Sequence, residues 1–82
     1  MTVSELEGAK GWARQIARET HGWGVHRKFW SAYKANRRVY RQEGVPLAES
    51  IHNAATWARM DAWMSNPAFV DVDLGEPDDR WF

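Results

Sequence analysis

From residue 6 to residue 20, Leu6, Ala9, Ala13, Ile16, Ala17 and Thr20 recur at the three- and four-residue spacing of a single helical face, with Glu7, Lys10, Arg14 and Arg18 opposite. Two capping boxes offer this helix a start: Thr2 with Glu5, supported by Met1 and Leu6 at staple spacing, and Ser4 with Glu7, without a staple. The inward side chains are small, which requires a neighbouring helix to approach closely. Gly8 and Gly11 each cost about 1 kcal/mol relative to alanine and point to close backbone contact or to a frayed first turn. The run His21-Gly22-Trp23-Gly24 then breaks the period, with Gly22 expected as the left-handed cap. A second helix is predicted from about Val25 to Glu43. Its inward stripe is Val25, Phe29, Ala32, Tyr33, Val39 and Tyr40, with Asn36 as the one polar member. Gly44 closes it, Pro46 suits the first position of a third helix, and Glu49 lies near the positive end of that helix dipole. The third helix runs to about Ser65, because Asn66 before Pro67 is biased out of the α region.

This third segment is apolar on two sides. Leu47, Ile51, Ala54, Ala55, Ala58 and Ala62 form the expected core face, while Trp57, Met60 and Met64 form a second stripe and Trp63 falls on another flank. Residues 66–82 change period: Val70, Val72 and Leu74 alternate with Asp71 and Asp73, the pattern of an extended segment. The fold class expected is all-α, a three-helix bundle over 1–65 with an extended acidic, aromatic tail over 66–82 packed on the third helix. One domain accounts for the whole length.

Charge sharpens this picture. The chain is formally neutral, yet residues 1–65 carry ten Lys/Arg against six Asp/Glu, and residues 66–82 carry one against five. Between positions 21 and 42 there are six cations and no acid. Arg27, Lys34, Arg37, Arg38 and Arg41 project into an arc of about 100° on the second helix, and Trp30 lies inside it. A tryptophan set among cations suits cation–π contacts, stacking on an unpaired base or a protein-binding hot spot. It also suits the plainer role of an amphipathic ring at the bundle edge, packed under arginine stems. Six tryptophans in 82 residues exceed what an alanine-rich interior can cover, and interfaces are enriched in tryptophan and arginine.

The chemistry of catalysis is missing from this sequence. There is no cysteine, so neither disulfide nor thiolate chemistry is open to it. His21 and His26 are five apart across a glycine turn, His52 stands elsewhere, and no carboxylate cluster completes a metal site. The acids of the tail do not match a calcium loop, and no phosphate-binding loop or nucleophile elbow occurs. No cofactor, no metal and no enzymatic activity are expected. The start of the chain lacks the pattern of a signal peptide and no apolar run reaches the roughly 20 residues of a membrane span, so a cytoplasmic protein without a membrane partner is expected. In composition, with eight Arg to three Lys, eleven Ala and abundant Trp and Asp, the chain resembles small helical accessory proteins of the actinobacteriophage type. That resemblance implies a protein that binds a host or phage component to inhibit or redirect it.

These features favour a non-enzymatic interaction module with a protein partner, using Arg27, Trp30, Lys34, Arg37, Arg38, Arg41, Trp57, Met60, Met64 and Trp81. One alternative is a nucleic-acid binder whose basic helix meets phosphates and whose acidic tail competes internally. Another is a homo-oligomer formed through the tryptophan and methionine surface.

Overall fold

A computed structural model describes residues 2–65 of the chain. Those residues are all-helical: α1 (Val3–Gly22), α2 (His26–Gln42) and α3 (Leu47–Trp63), with no strand among them. The helices form a small bundle in which α3 packs against both others, while α1 and α2 meet more sparingly. The expected tail on α3 lies outside the described residues.

Helix α1 takes the first of the two expected starts, with Thr2 as its N-cap. The Oγ1 of Thr2 accepts a hydrogen bond from the Glu5 amide at 3.1 Å, satisfying one of the amides that a helix start leaves open. Both connections are the same device. Gly24 (φ 77°) and Gly44 (φ 75°) each adopt the left-handed conformation one residue beyond a helix cap. Around the first, the Val25 amide reaches the Thr20 carbonyl at 3.0 Å and the Gly24 amide reaches His21 at 3.0 Å. Around the second, Val45 bonds Tyr40 at 3.0 Å and Gly44 bonds Arg41 at 3.2 Å. These paired bonds define the Schellman motif. The expected cap at Gly22 is thereby corrected: Gly22 is still inside α1, and the reversal waits for Gly24, whose next residue, Val25, is buried in the core. Pro46 is likewise the N-cap of α3 and not its first helical residue, since its ψ of 145° is extended.

The core consists of Ala9, Ala13, Ile16 and Ala17 from α1, Val25, Phe29 and Tyr33 from the start and body of α2, and Ile51, Ala54, Ala55, Ala58 and Ala62 from α3. Phe29 and Tyr33 stack with centroids 5.9 Å apart. The alanines bury little area each, so Ile16, Phe29, Tyr33 and Ile51, at about 1.5–3 kcal/mol apiece, supply most of the hydrophobic driving force. The predicted inner faces of α1 and α3 hold, apart from Leu47, which is exposed at the first residue of α3. Ser50 is buried in its place.

On α2 the burial departs from the apolar stripe. Val39 is exposed and Asn36 is half-buried, whereas His26 and Arg37 are buried. The inward sector is turned by roughly 50°, half the 100° step between successive residues. Tertiary partners explain the turn. His26 Nδ1–H donates to the Ala17 carbonyl at 3.2 Å, and Arg37 Nη1 donates to Ser50 Oγ. Two polar side chains can enter because each brings a hydrogen bond with it.

Of the two readings of Gly8 and Gly11, close backbone contact is not found. A β-carbon at either would meet no atom within 4 Å, so neither glycine mediates a close helix contact. Gly8→Ala is expected to stabilise the protein by about 0.5–1 kcal/mol, because the substitution removes backbone freedom from the unfolded chain. Gly44→Ala has the opposite sign, a loss of about 1–2 kcal/mol, since alanine is strained at φ 75° although nothing crowds it. Thermal unfolding of the two variants beside the parent checks both signs.

Candidate functional site

Two surfaces contain the sequence-derived candidates. On α2, Arg27, Lys34, Arg38 and Arg41 are exposed as expected, and Lys28 joins them. Trp30 is not the open ring that the arc suggested. It is half-buried, lies parallel to Tyr33 at 5.8 Å between centroids, and has the Lys34 Nζ 5.3 Å from its own centroid. One face is given to the core and a cation lies against the ring, so stacking on a base has no ready platform here.

Arg37 departs further from expectation. Only 7% exposed, it belongs to the α2–α3 interface, where its guanidinium meets the Ser50 hydroxyl and lies beside the Tyr33 phenol. Burial pushes the Tyr33 phenol up to about 12, with the nearby Arg37 charge opposing that rise. Arg37 is therefore a register pin between helices and is withdrawn from the binding face. What remains on α2 is a set of exposed cations suited to steering an anionic partner.

The second surface lies on the last two turns of α3. Trp57, Met60, Trp63 and Met64 are between 50% and 81% exposed, four large apolar side chains on adjoining positions of one helix. Sequence reasoning placed Trp63 apart from the others, yet Met60, Trp63 and Met64 together with Arg59 line a groove of about 300 Å³. Trp63 is held from the cap of α1: its ring meets Trp23 edge-on at 5.3 Å and 73°. Arg59 lies over the same Trp23 ring at 5.6 Å and its Nε donates to Glu19 Oε2 at 2.9 Å. That ion pair is largely solvated and contributes under about 1 kcal/mol, but it fixes the Arg59 stem along the groove wall. The pairing uses one of the five guanidinium N–H donors, which leaves capacity for a carboxylate.

The i, i+4 pairs Arg59–Trp63 and Met60–Met64 were the available signal for this grouping. It was missed because the contribution of Trp23 crosses from α1. Trp12, by contrast, is accounted for inside the bundle: its Nε1–H donates to Thr56 Oγ1 at 3.1 Å and its ring stacks on His52 at 5.6 Å. Trp81 lies outside the described residues.

Among the described residues no group of three His, Asp or Glu side chains could hold a metal ion, and no helix is long and apolar enough to cross a membrane. No protein-family model, curated protein or solved structure matches the chain.

The buried phenol makes an alkaline test of the Arg37 interface. Because the folded state holds the Tyr33 proton to about 12 and the unfolded state releases it near 10, the unfolded chain binds fewer protons in that window. Stability is then full below about pH 10 and falls as pH rises toward 12, by a loss on the order of 2 kcal/mol. Tyr33→Phe is expected to remove this part of the fall. Denaturant unfolding of parent and variant at pH 8 and pH 11 measures the difference.

Proposed function

We propose that this chain is a non-enzymatic interaction module that docks a protein partner on the α3 face formed by Trp57, Met60, Trp63 and Met64. One observation carries the reading: four large apolar side chains, each at least half exposed, share two turns of helix, and three of them, Met60, Trp63 and Met64, line a groove with Arg59. Monomeric surfaces rarely leave so much contiguous tryptophan and methionine uncovered without a use for it, and interface cores are enriched in such side chains. Methionine lets the surface adjust to the incoming chain, and tryptophan supplies rigid anchor area.

The charge layout supports a partner that is acidic around an apolar centre. Arg59 borders the groove, and Arg27, Lys28, Lys34, Arg38 and Arg41 line the outer side of α2. The cations would speed encounter while the α3 side chains determine residence. The mechanism is occlusion or adaptor binding. The arginine- and alanine-rich composition supports a role as a small accessory protein of the actinobacteriophage type acting in the cytoplasm. The proposal extends to residues 66–82, whose alternating Val70, Val72 and Leu74 would cover this face in the free chain.

Affinity capture from a lysate of the source organism, run side by side with the parent chain and Met60→Glu, tests the docking face. A protein retained by the parent and lost by the variant is expected; identical capture by both would sink the reading. Salt separates it from nucleic-acid binding, since affinity for phosphates falls steeply between 50 and 200 mM salt and apolar docking does not. The tail has its own test in Trp57→Ala. With Val70, Val72 or Leu74 on that ring, the loss of stability exceeds about 1 kcal/mol, whereas an uncovered surface ring changes it by about 0.5 kcal/mol or less. Unchanged thermal stability would count against the cover.

A further inference from the structure

Three observations bear on what fills the groove at the end of α3. First, it lies where the helices hand over to the rest of the chain: Met64 lines it, and Ser65 is the next residue. Seventeen residues follow from that point. Second, spacing matches. In an extended segment Val70, Val72 and Leu74 recur about every 6.7 Å on one side. Along the helix axis Met64, Met60 and Trp57 are separated by about 6 and 4.5 Å. An extended run doubling back from Ser65 can therefore set one aliphatic side chain near each of the three, and residues 66–69 reach up to about 14 Å, enough to make the turn. Third, charge matches. Residues 2–65 hold ten Lys/Arg against six Asp/Glu, a balance of plus four, and residues 66–82 hold one against five, a balance of minus four. Asp71 and Asp73 alternate with those aliphatic residues in sequence, and the cation Arg59 borders the groove.

We infer that the groove accepts an extended segment in which aliphatic and acidic residues alternate, that residues 66–82 are its resident occupant, and that they regulate the surface by competing with the partner. This inference rests on the α3 face being the docking surface and adds what controls it. A tethered segment acts at an effective concentration in the millimolar range, so a partner must match the same pattern or bind substantially tighter to displace it. The partner class follows: a protein presenting an extended stretch of alternating Val, Leu or Ile with Asp or Glu. A second copy of this chain offers that stretch too, and the test separates it.

The probe is a fluorescent peptide with the sequence of residues 66–82, titrated by anisotropy into three forms of the full chain. The first is the parent. The second has its own tail disarmed by Val70→Ser, Val72→Ser and Leu74→Ser, and the third adds Met60→Glu to those changes. The disarmed chain is expected to bind the peptide at least tenfold more tightly than the parent, and Met60→Glu is expected to abolish the gain. Met60 and Met64 are both exposed, so circular dichroism should show the helices intact, and Met64→Glu serves as a second groove variant should Met60→Glu perturb them. Equal binding by parent and disarmed chain, or none by the disarmed chain, overturns the inference. Light scattering that shows a parent dimer dissociating when the tail is disarmed also overturns it, by placing the segment on a second copy. Failure of the peptide to bind while lysate capture still depends on Met60 would remove self-occlusion and leave the docking face standing, so the two readings fail separately.

Discussion

The constraint on which the rest depends is the thinness of the interior that α3 presents. Ala54, Ala55, Ala58 and Ala62 are fully buried, with Ile51 and Ser50 completing the inward face, so α1 and α2 approach the α3 backbone closely. Close approach leaves no volume inside for indole rings. Each tryptophan must find an edge: Trp12 takes a hydrogen bond and a stacking partner across α1 and α3, Trp30 lies on Tyr33, and Trp23 fits between Arg59 and Trp63. Trp57, Trp63, Met60 and Met64 are what remains after those edges are filled. The apolar outer face of α3 is thus the complement of its alanine inner face. A helix that is small on one side and large on the other can nest against its own bundle and still offer anchor area to another chain.

A thin core also raises the importance of directional contacts. Beside Phe29 and Tyr33, which anchor α2 in the core, His26 on the Ala17 carbonyl and Arg37 on Ser50 fix the rotation of that helix. A buried arginine is costly to desolvate, and the Ser50 hydroxyl offsets part of that cost by accepting from its Nη1. The two Schellman turns do similar work along the chain. Placing Gly-Val after each of the first two helices fixes both reversals and brings Val25 into the core.

How much of this was legible in sequence depends on whether the signal was local. Thr2 with Glu5, the alanine period of α1, Gly44 and the inner face of α3 are local features, and each predicts what the helices do. The orientation of α2 was not legible. A periodicity argument ranks Val39 inward and Arg37 outward, and only the presence of Ser50 on a neighbouring helix reverses that order. Gly22 and Gly24 present a related case: two glycines flank one tryptophan, and the reversal falls at the second, next to the buried Val25. The candidate site divides in the same way. Trp57, Met60 and Met64 were visible as a stripe on one helix, whereas Trp63 and Arg59 joined them only through Trp23 and Glu19 of α1.

The two exposed surfaces differ in the physics they can offer, and that difference orders their roles. The α2 cations lie in solvent, where a single contact is worth little and salt screens it, so they bias the approach of an anion without holding it. The α3 side chains act only at contact, but burying a tryptophan and two methionines removes several hundred Å² of apolar surface from water and is nearly indifferent to salt. A partner that used α2 alone would come and go with ionic strength. One that used α3 alone would meet the chain slowly and then stay. An acidic stretch interleaved with aliphatic residues would draw on both kinds of interaction, and residues 70 to 74 carry that pattern in sequence.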